Sequence, residues 1–130
     1  MITESDFRVI ITSRDYRRSV VFYSDGLELP VVTSWEEPGS SGTILKAGGG
    51  TIEVVSGGSG EDRIECLNIR LALRTADPDG WCNHLRRKGM TIRDEPADRP
   101  WGYRRFVVED PDGILLSFYT VTDPAAAGHG

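Results

Sequence analysis

Ser56-Gly57-Gly58-Ser59-Gly60-Glu61-Asp62 stands close to the midpoint of the 130-residue chain. Gly and Ser leave its backbone flexible and it carries nothing apolar to anchor it, so it reads as a linker. Working outward, the same order of elements stands on both sides. Upstream, Phe7 to Thr12 alternates Phe7, Val9 and Ile11 with Arg8, Ile10 and Thr12, the pattern of a strand with one more polar face. Asp15-Tyr16-Arg17-Arg18-Ser19-Val20-Val21-Phe22-Tyr23 follows as a helix. Asp15 caps it by accepting a first-turn backbone N–H, Tyr16, Val20 and Tyr23 share one face, and Gly26 supplies a left-handed stop. Three strands complete the unit: Pro30 to Trp35, Thr43 to Ala47 and Thr51 to Ser56. Glu36 to Gly42 reads as a loop, and Gly48-Gly49-Gly50 as a hairpin turn.

Downstream, Cys66 to Arg74 alternates Ile69, Leu71 and Leu73 with Asn68, Arg70 and Ala72. Asp77-Pro78 opens a second helix, with Asp as cap and Pro at the first helical position. Trp81, Cys82 and Leu85 form its apolar side, Arg86, Arg87 and Lys88 suit the negative end of its dipole, and Gly89 ends it. Strands over Met90 to Asp94, Tyr103 to Glu109 and Ile114 to Thr120 close the repeat, with Asp110-Pro111-Asp112-Gly113 as a turn. The division is residues 1–56, a linker over 57–64, residues 65–121, and a small, polar tail over 122–130 expected to be disordered. The fold class is α+β: two βαβββ modules, each with one helix for a four-stranded sheet, so that one sheet face lacks cover and the modules are expected to pair.

Composition narrows the function. A net charge of −5 with basic residues scattered in short pairs argues against a nucleic-acid partner. No apolar run approaches the roughly 20 residues that span a bilayer, and the N-terminus lacks the basic and apolar regions of a secretory signal, so residence in the cytoplasm and no membrane partner are expected. Cys66 and Cys82 make no disulfide framework and read as buried thiols.

The helix Asp15 to Tyr23 with Gly26 after it, and the stretch Trp101-Gly102-Tyr103-Arg104-Arg105-Phe106-Val107-Val108-Glu109-Asp110-Pro111-Asp112-Gly113, resemble the vicinal oxygen chelate superfamily. That group includes glyoxalase I, extradiol dioxygenases, fosfomycin-modifying enzymes and bleomycin-resistance proteins. The resemblance runs from about Phe7 to Thr120 and rests on scaffold residues, so it speaks for fold more than for activity. It implies sheets curled into cups, a homodimer, and a ligand seated in a cup completed by the partner chain.

Enzymes of the superfamily hold a divalent metal with His and carboxylate ligands from four strands. The matching positions here are Arg8, Glu53, Asn68 and Ser117. Glu53 suits a metal; Arg8 has no lone pair to give, and Asn68 and Ser117 offer neutral oxygens. The histidines, His84 and His129, lie on a helix and in the tail. No metal, cofactor or catalytic residue is therefore assigned. Cys82 and His84 face different directions on their helix, and Glu109, Asp110 and Asp112 read as a solvated hairpin turn. Glu53 is either a general base, if burial raises its pKa, or a hydrogen-bond acceptor or salt-bridge partner of Arg8 or Arg70.

The residues assigned to a ligand are Arg8, Trp35, Glu53, Asn68, Arg70, Trp101, Tyr103, Phe106, Ser117 and Tyr119. Rings at strand ends and on cup faces make flat stacking walls, and a few polar groups among them suit a small-molecule site. Trp35 and Trp101 are alternatively dimer-interface residues, Arg70 a cross-sheet salt bridge; Trp81 reads as core, Phe22 and Phe118 as core or interface. A polar and aromatic cup without the metal set is similar to the bleomycin-resistance branch, which implies sequestration of a bulky aromatic natural product or antibiotic. The alternatives are a lyase, isomerase or thiol transferase of the same superfamily, and a regulatory module whose cup is filled by its own side chains.

Overall fold

The computed structural model describes residues 7–57 and 69–125. The chain divides into two compact units, Met1–Cys66 and Leu67–Gly130. The proposed linker over 57–64, beyond Gly57, lies outside the described residues, as do Asn68, Cys66 and the end of the tail.

In the first unit β1 (Arg8–Thr12), α1 (Tyr16–Val21), β2 (Val31–Glu37), β3 (Ser40–Ala47) and β4 (Gly50–Val55) follow in order. The sheet order is β1-β4-β3-β2, with β1 parallel to β4 and the other pairs antiparallel. Strand alternation sorts the side chains as the sequence implies: Ile11 is 4% exposed, whereas Ile10 beside it is 60% exposed. Leu45, Ile52 and Val54 join Ile11 on the face that α1 covers, with Tyr23 and Leu27 buried from the helical segment. Asp15 caps α1, its Oδ1 accepting from the Arg18 N–H at 3.2 Å. The helix then widens into a π-type turn over Phe22–Gly26, where Leu27 N–H donates to the Phe22 carbonyl at 2.8 Å. That turn moves the left-handed residue downstream: Glu28, with φ 61°, takes the conformation expected of Gly26.

The second unit repeats the plan. β5 (Arg70–Arg74), α2 (Pro78–Arg87), β6 (Ile92–Arg99), β7 (Tyr103–Glu109) and β8 (Leu115–Val121) form a sheet of order β5-β8-β7-β6, with β5 parallel to β8. Asp77 caps α2 by accepting from Gly80 N–H at 3.1 Å, and Gly89, at φ 85°, ends it. Cys82 and Leu85 of α2 are fully buried, and so are Phe106, Val108 and Leu116 of the sheet. Phe106 pairs with Phe118 in register, the rings stacked at 5.3 Å, and Trp81 of α2 meets Phe118 edge-on at 6.2 Å.

Two segments differ from expectation. Glu36 to Gly42 is mostly strand: β2 runs on to Glu37, Pro38-Gly39 makes a two-residue turn with Gly39 at φ 81°, and β3 starts at Ser40. β6 extends past Asp94 through Pro96 to Arg99. An edge strand tolerates the missing N–H of proline, and the register slips between Asp94 and Ala97 around it.

The acidic turn is also not a solvated one. Asp110 and Asp112 are 4% and 9% exposed, and Asp110 Oδ1 accepts from the N–H groups of Asp112 and Ile114, each at 2.8 Å. The carboxylate organises the turn into β8.

Burial pushes the Cys82 thiol up, against the lowering effect of Arg86 beside it. A protonated, enclosed thiol is a poor nucleophile. The Cys82 peptide is therefore expected to stay unmodified by iodoacetamide in the native protein and to react fully in denaturant, as read by peptide mass mapping.

Candidate functional site

In the first sheet the face opposite α1 carries Arg8, Ile10 and Thr12 from β1, Thr51, Glu53 and Val55 from β4, Gly42 and Ile44 from β3, and Thr33 and Trp35 from β2. Two of the residues assigned from sequence meet here. Trp35 Nε1 donates to Glu53 Oε2 at 3.2 Å. The indole lies across β3 at Gly42, where an added Cβ would overlap the ring, so glycine at 42 is what lets the indole reach Glu53. Glu53 is thus a hydrogen-bond acceptor for the ring. Arg8 is exposed, and its Nε donates to Thr51 Oγ1 at 3.1 Å. A shallow hollow of about 250 Å³ is lined by Tyr16, Ser34, Trp35, Glu36 and Ser41. It falls below the roughly 300–1,000 Å³ of an ordinary ligand pocket.

In the second sheet the face opposite α2 gathers more of the assigned residues. Register places Arg70, Ala72 and Arg74 of β5 beside Leu115, Ser117 and Tyr119 of β8, and Ser117, Tyr119 and Val121 of β8 beside Val107, Arg105 and Tyr103 of β7; Arg99 of β6 pairs with Tyr103. Tyr103 and Tyr119 stack on one another at 4.8 Å with planes 23° apart, a paired aromatic block on this face. Trp101, just before β7, lies 5.7 Å below the Arg105 guanidinium, within cation–π reach.

Sequence reasoning missed Arg99 and Arg105. Among the described residues, buried Nε and Nη1 of Arg105 and Nε of Arg99 have no hydrogen-bond partner, and neither has the buried Oγ of Ser117. Each unpaired polar group of this kind costs about 1–3 kcal/mol, and more when charged. Burial first, and then the cations Arg70 and Arg99, hold the Arg105 guanidinium below the ordinary arginine value, partly offset by Asp94. The strand alternation that put Tyr103 on this face already put Arg105 there too.

Phe106 corrects the sequence assignment. It lies on the opposite face of β7 from Tyr103 and Arg105, fully buried beneath α2 and stacked on Phe118, so its ring serves the core. Asn68 lies outside the described residues.

The fold implies a metal site, and the donor chemistry at its positions does not fit one. Arg8 is a fixed cation engaged with Thr51, Glu53 accepts from an indole, and Ser117 offers a buried neutral hydroxyl. One carboxylate and a guanidinium do not make the His and carboxylate set that holds a divalent ion. Among the described residues no cluster of three His, Cys, Asp or Glu side chains is placed to bind a metal elsewhere. No described helix is long and apolar enough to cross a membrane.

Comparison with known proteins agrees with this architecture. YraH, an uncharacterized protein of Bacillus subtilis (strain 168), is 29% identical over 116 residues, covering 81% of this chain and 89% of its own. Glyoxalase I from Zea mays superposes with a TM-score of 0.76 at 18% identity, matching 89% of this chain and 44% of the maize protein. TnmS3, an antibiotic binding protein from Streptomyces sp. CB03234, superposes with a TM-score of 0.67 at 22% identity over 93% of this chain and 97% of its own. At these identities the structural likeness speaks for the fold. Residues 7–118 match the sequence pattern of one family, and the chain belongs to the Glyoxalase/Bleomycin resistance protein/Dioxygenase superfamily.

Proposed function

We propose that this protein binds a bulky aromatic natural product, such as an antibiotic, and holds it without chemical change, acting as a cytoplasmic homodimer that lowers the free concentration of the compound. One observation carries the reading: the second sheet offers a stacked ring wall, Tyr103 on Tyr119, beside polar side chains with unmet hydrogen bonds. Flat rings and a few directed polar groups suit a planar organic molecule. The donor set at the family's metal positions argues against metal-assisted turnover, and the antibiotic-binding TnmS3 shares the fold. Sequestration by mass action needs submicromolar dissociation, more than about 8 kcal/mol of binding energy.

The test is equilibrium titration against a panel of aromatic antibiotics, followed by mass-spectrometric recovery of the ligand after long incubation. Saturable binding with unchanged ligand supports sequestration. Accumulating product, dependent on an added divalent metal, favours the family's enzymes instead. Glu53→Gln discriminates further. The variant keeps a carbonyl that accepts from Trp35, so binding is expected to stay within about tenfold of wild type; a general base at Glu53 would lose turnover altogether.

A further inference from the structure

We propose, resting on the ring-binding reading above, that the second sheet's face opposite α2 captures the carboxylate of an acidic aromatic ligand through Arg105, Arg99 and Arg70. The register sets Arg105 of β7 and Arg99 of β6 diagonally next to one another on this face, beside Tyr103 and Tyr119, with the Trp101 ring 5.7 Å from the Arg105 guanidinium. Arg70 of β5 stands farther along the same face, level with Leu115, and its charge reaches Arg105.

The charges there are not balanced locally. Three other arginines of this unit are matched to acids: Arg104 to Asp79 at 2.7 Å and Asp98 at 3.2 Å, Arg93 to Glu109 at 3.0 Å, and Arg86 to Glu95 at 2.5 Å. Among the described residues, Arg105 and Arg99 keep buried guanidinium nitrogens with no acceptor, and the Ser117 hydroxyl stands unpaired on the same face. Asp94 is the carboxylate whose charge reaches Arg105, and it is outweighed there by Arg70 and Arg99. Such unmet donors sit in a chain whose net charge is −5, so the positive patch is a local feature of the sheet face.

The chemistry that completes this arrangement is a planar anion. A guanidinium offers parallel N–H donors that match the two oxygens of a carboxylate, and such charge-assisted pairs are stronger than neutral ones. The Trp101 ring, 5.7 Å from the Arg105 guanidinium, gives that cation an aromatic partner and leaves its hydrogen-bond donors for an anion. The stacked tyrosines beside it take the ring that carries the carboxylate. An uncharged ring would use the wall and leave the arginines unmatched.

The experiment compares anthracene-2-carboxylate with anthracene-2-carboxamide by calorimetric titration of the full-length protein. The acid is expected to bind at least about 20-fold tighter at low ionic strength, with the ratio shrinking as salt is raised. Arg105→Gln is expected to erase most of that ratio by weakening the acid and leaving the amide within about threefold. Arg70→Gln, at an exposed position where folding is not at risk, is expected to lower the ratio by a smaller factor. Equal affinity for acid and amide overturns the anion site and leaves ring binding standing. Failure of both compounds to bind at millimolar concentration overturns the two readings together. If Arg105→Gln and Arg70→Gln instead change the sedimenting mass with the acid-to-amide ratio untouched, the arginines meet a second copy of the chain and the proposal is wrong.

Discussion

Phe106→Ala is expected to destabilise the protein by about 3–5 kcal/mol, which is a large part of the stability of a chain this size. The ring is fully buried, stacked on Phe118 at 5.3 Å, with Trp81 closing the cluster from α2. Truncation removes the transfer energy of an aromatic side chain and leaves a cavity between sheet and helix that rigid neighbours fill only in part. Urea unfolding followed by tryptophan fluorescence measures the loss. Tyr103→Ala is the companion: its ring is half-buried on the opposite face, so stability should fall far less while affinity for a ring ligand falls more. A Phe106→Ala protein that keeps wild-type stability and loses ligand would return this residue to the binding site.

The contrast between Phe106 and Tyr103 marks where the sequence stops being informative. Alternation along Tyr103 to Glu109 separates Tyr103, Arg105 and Val107 from Arg104, Phe106 and Val108 without ambiguity. Which set faces the helix depends on the register with β8, and that is a long-range fact. Phe118 read as core or interface from sequence, and its in-register pairing with Phe106 decides the matter for both. The two helices and most strands were legible because their signals are local: Asp15 and Asp77 cap as expected, and the repeat sets the order. Glu36 to Gly42 was misread because its Gly and Ser content masks a tight Pro38-Gly39 hairpin. In the case of β6, Pro96 hid a strand that an edge position permits.

Among the assigned site residues, chemistry at single positions was easier to read than company. Glu53 and Trp35 were each singled out, yet their hydrogen bond depends on Gly42 leaving room for the indole. Arg105 drew no notice because an arginine on a strand is commonly a solvated one. Its significance comes from a property no sequence displays, namely that the charges of Arg70 and Arg99 act on it more strongly than that of Asp94. Asp110 and Asp112 go in the other direction: an acidic run looks solvated until both are found buried, with two backbone N–H groups on Asp110 Oδ1.

Trp101→Ala is expected to weaken binding of anthracene-2-carboxylate by about 1–3 kcal/mol, roughly 5- to 150-fold. On the proposed reading the indole does two things: it offers its own ring to the ligand, and it seats the Arg105 guanidinium 5.7 Å from its centroid. Removing it frees Arg105 to reach toward water, so the cation loses its fixed direction as well as its aromatic partner. The two roles separate in a double-mutant cycle with Arg105→Gln. A coupling of about 0.5–1 kcal/mol is expected for the acid, because ring and cation act on one another, and near zero for the carboxamide, which draws on the ring alone. Additive effects for the acid would mean that Trp101 binds the ligand without positioning Arg105. A change in sedimenting mass that precedes any change in affinity would instead assign the indole to contact with a second copy, since a residue that holds two chains together must first be lost to assembly before its loss is felt by a ligand.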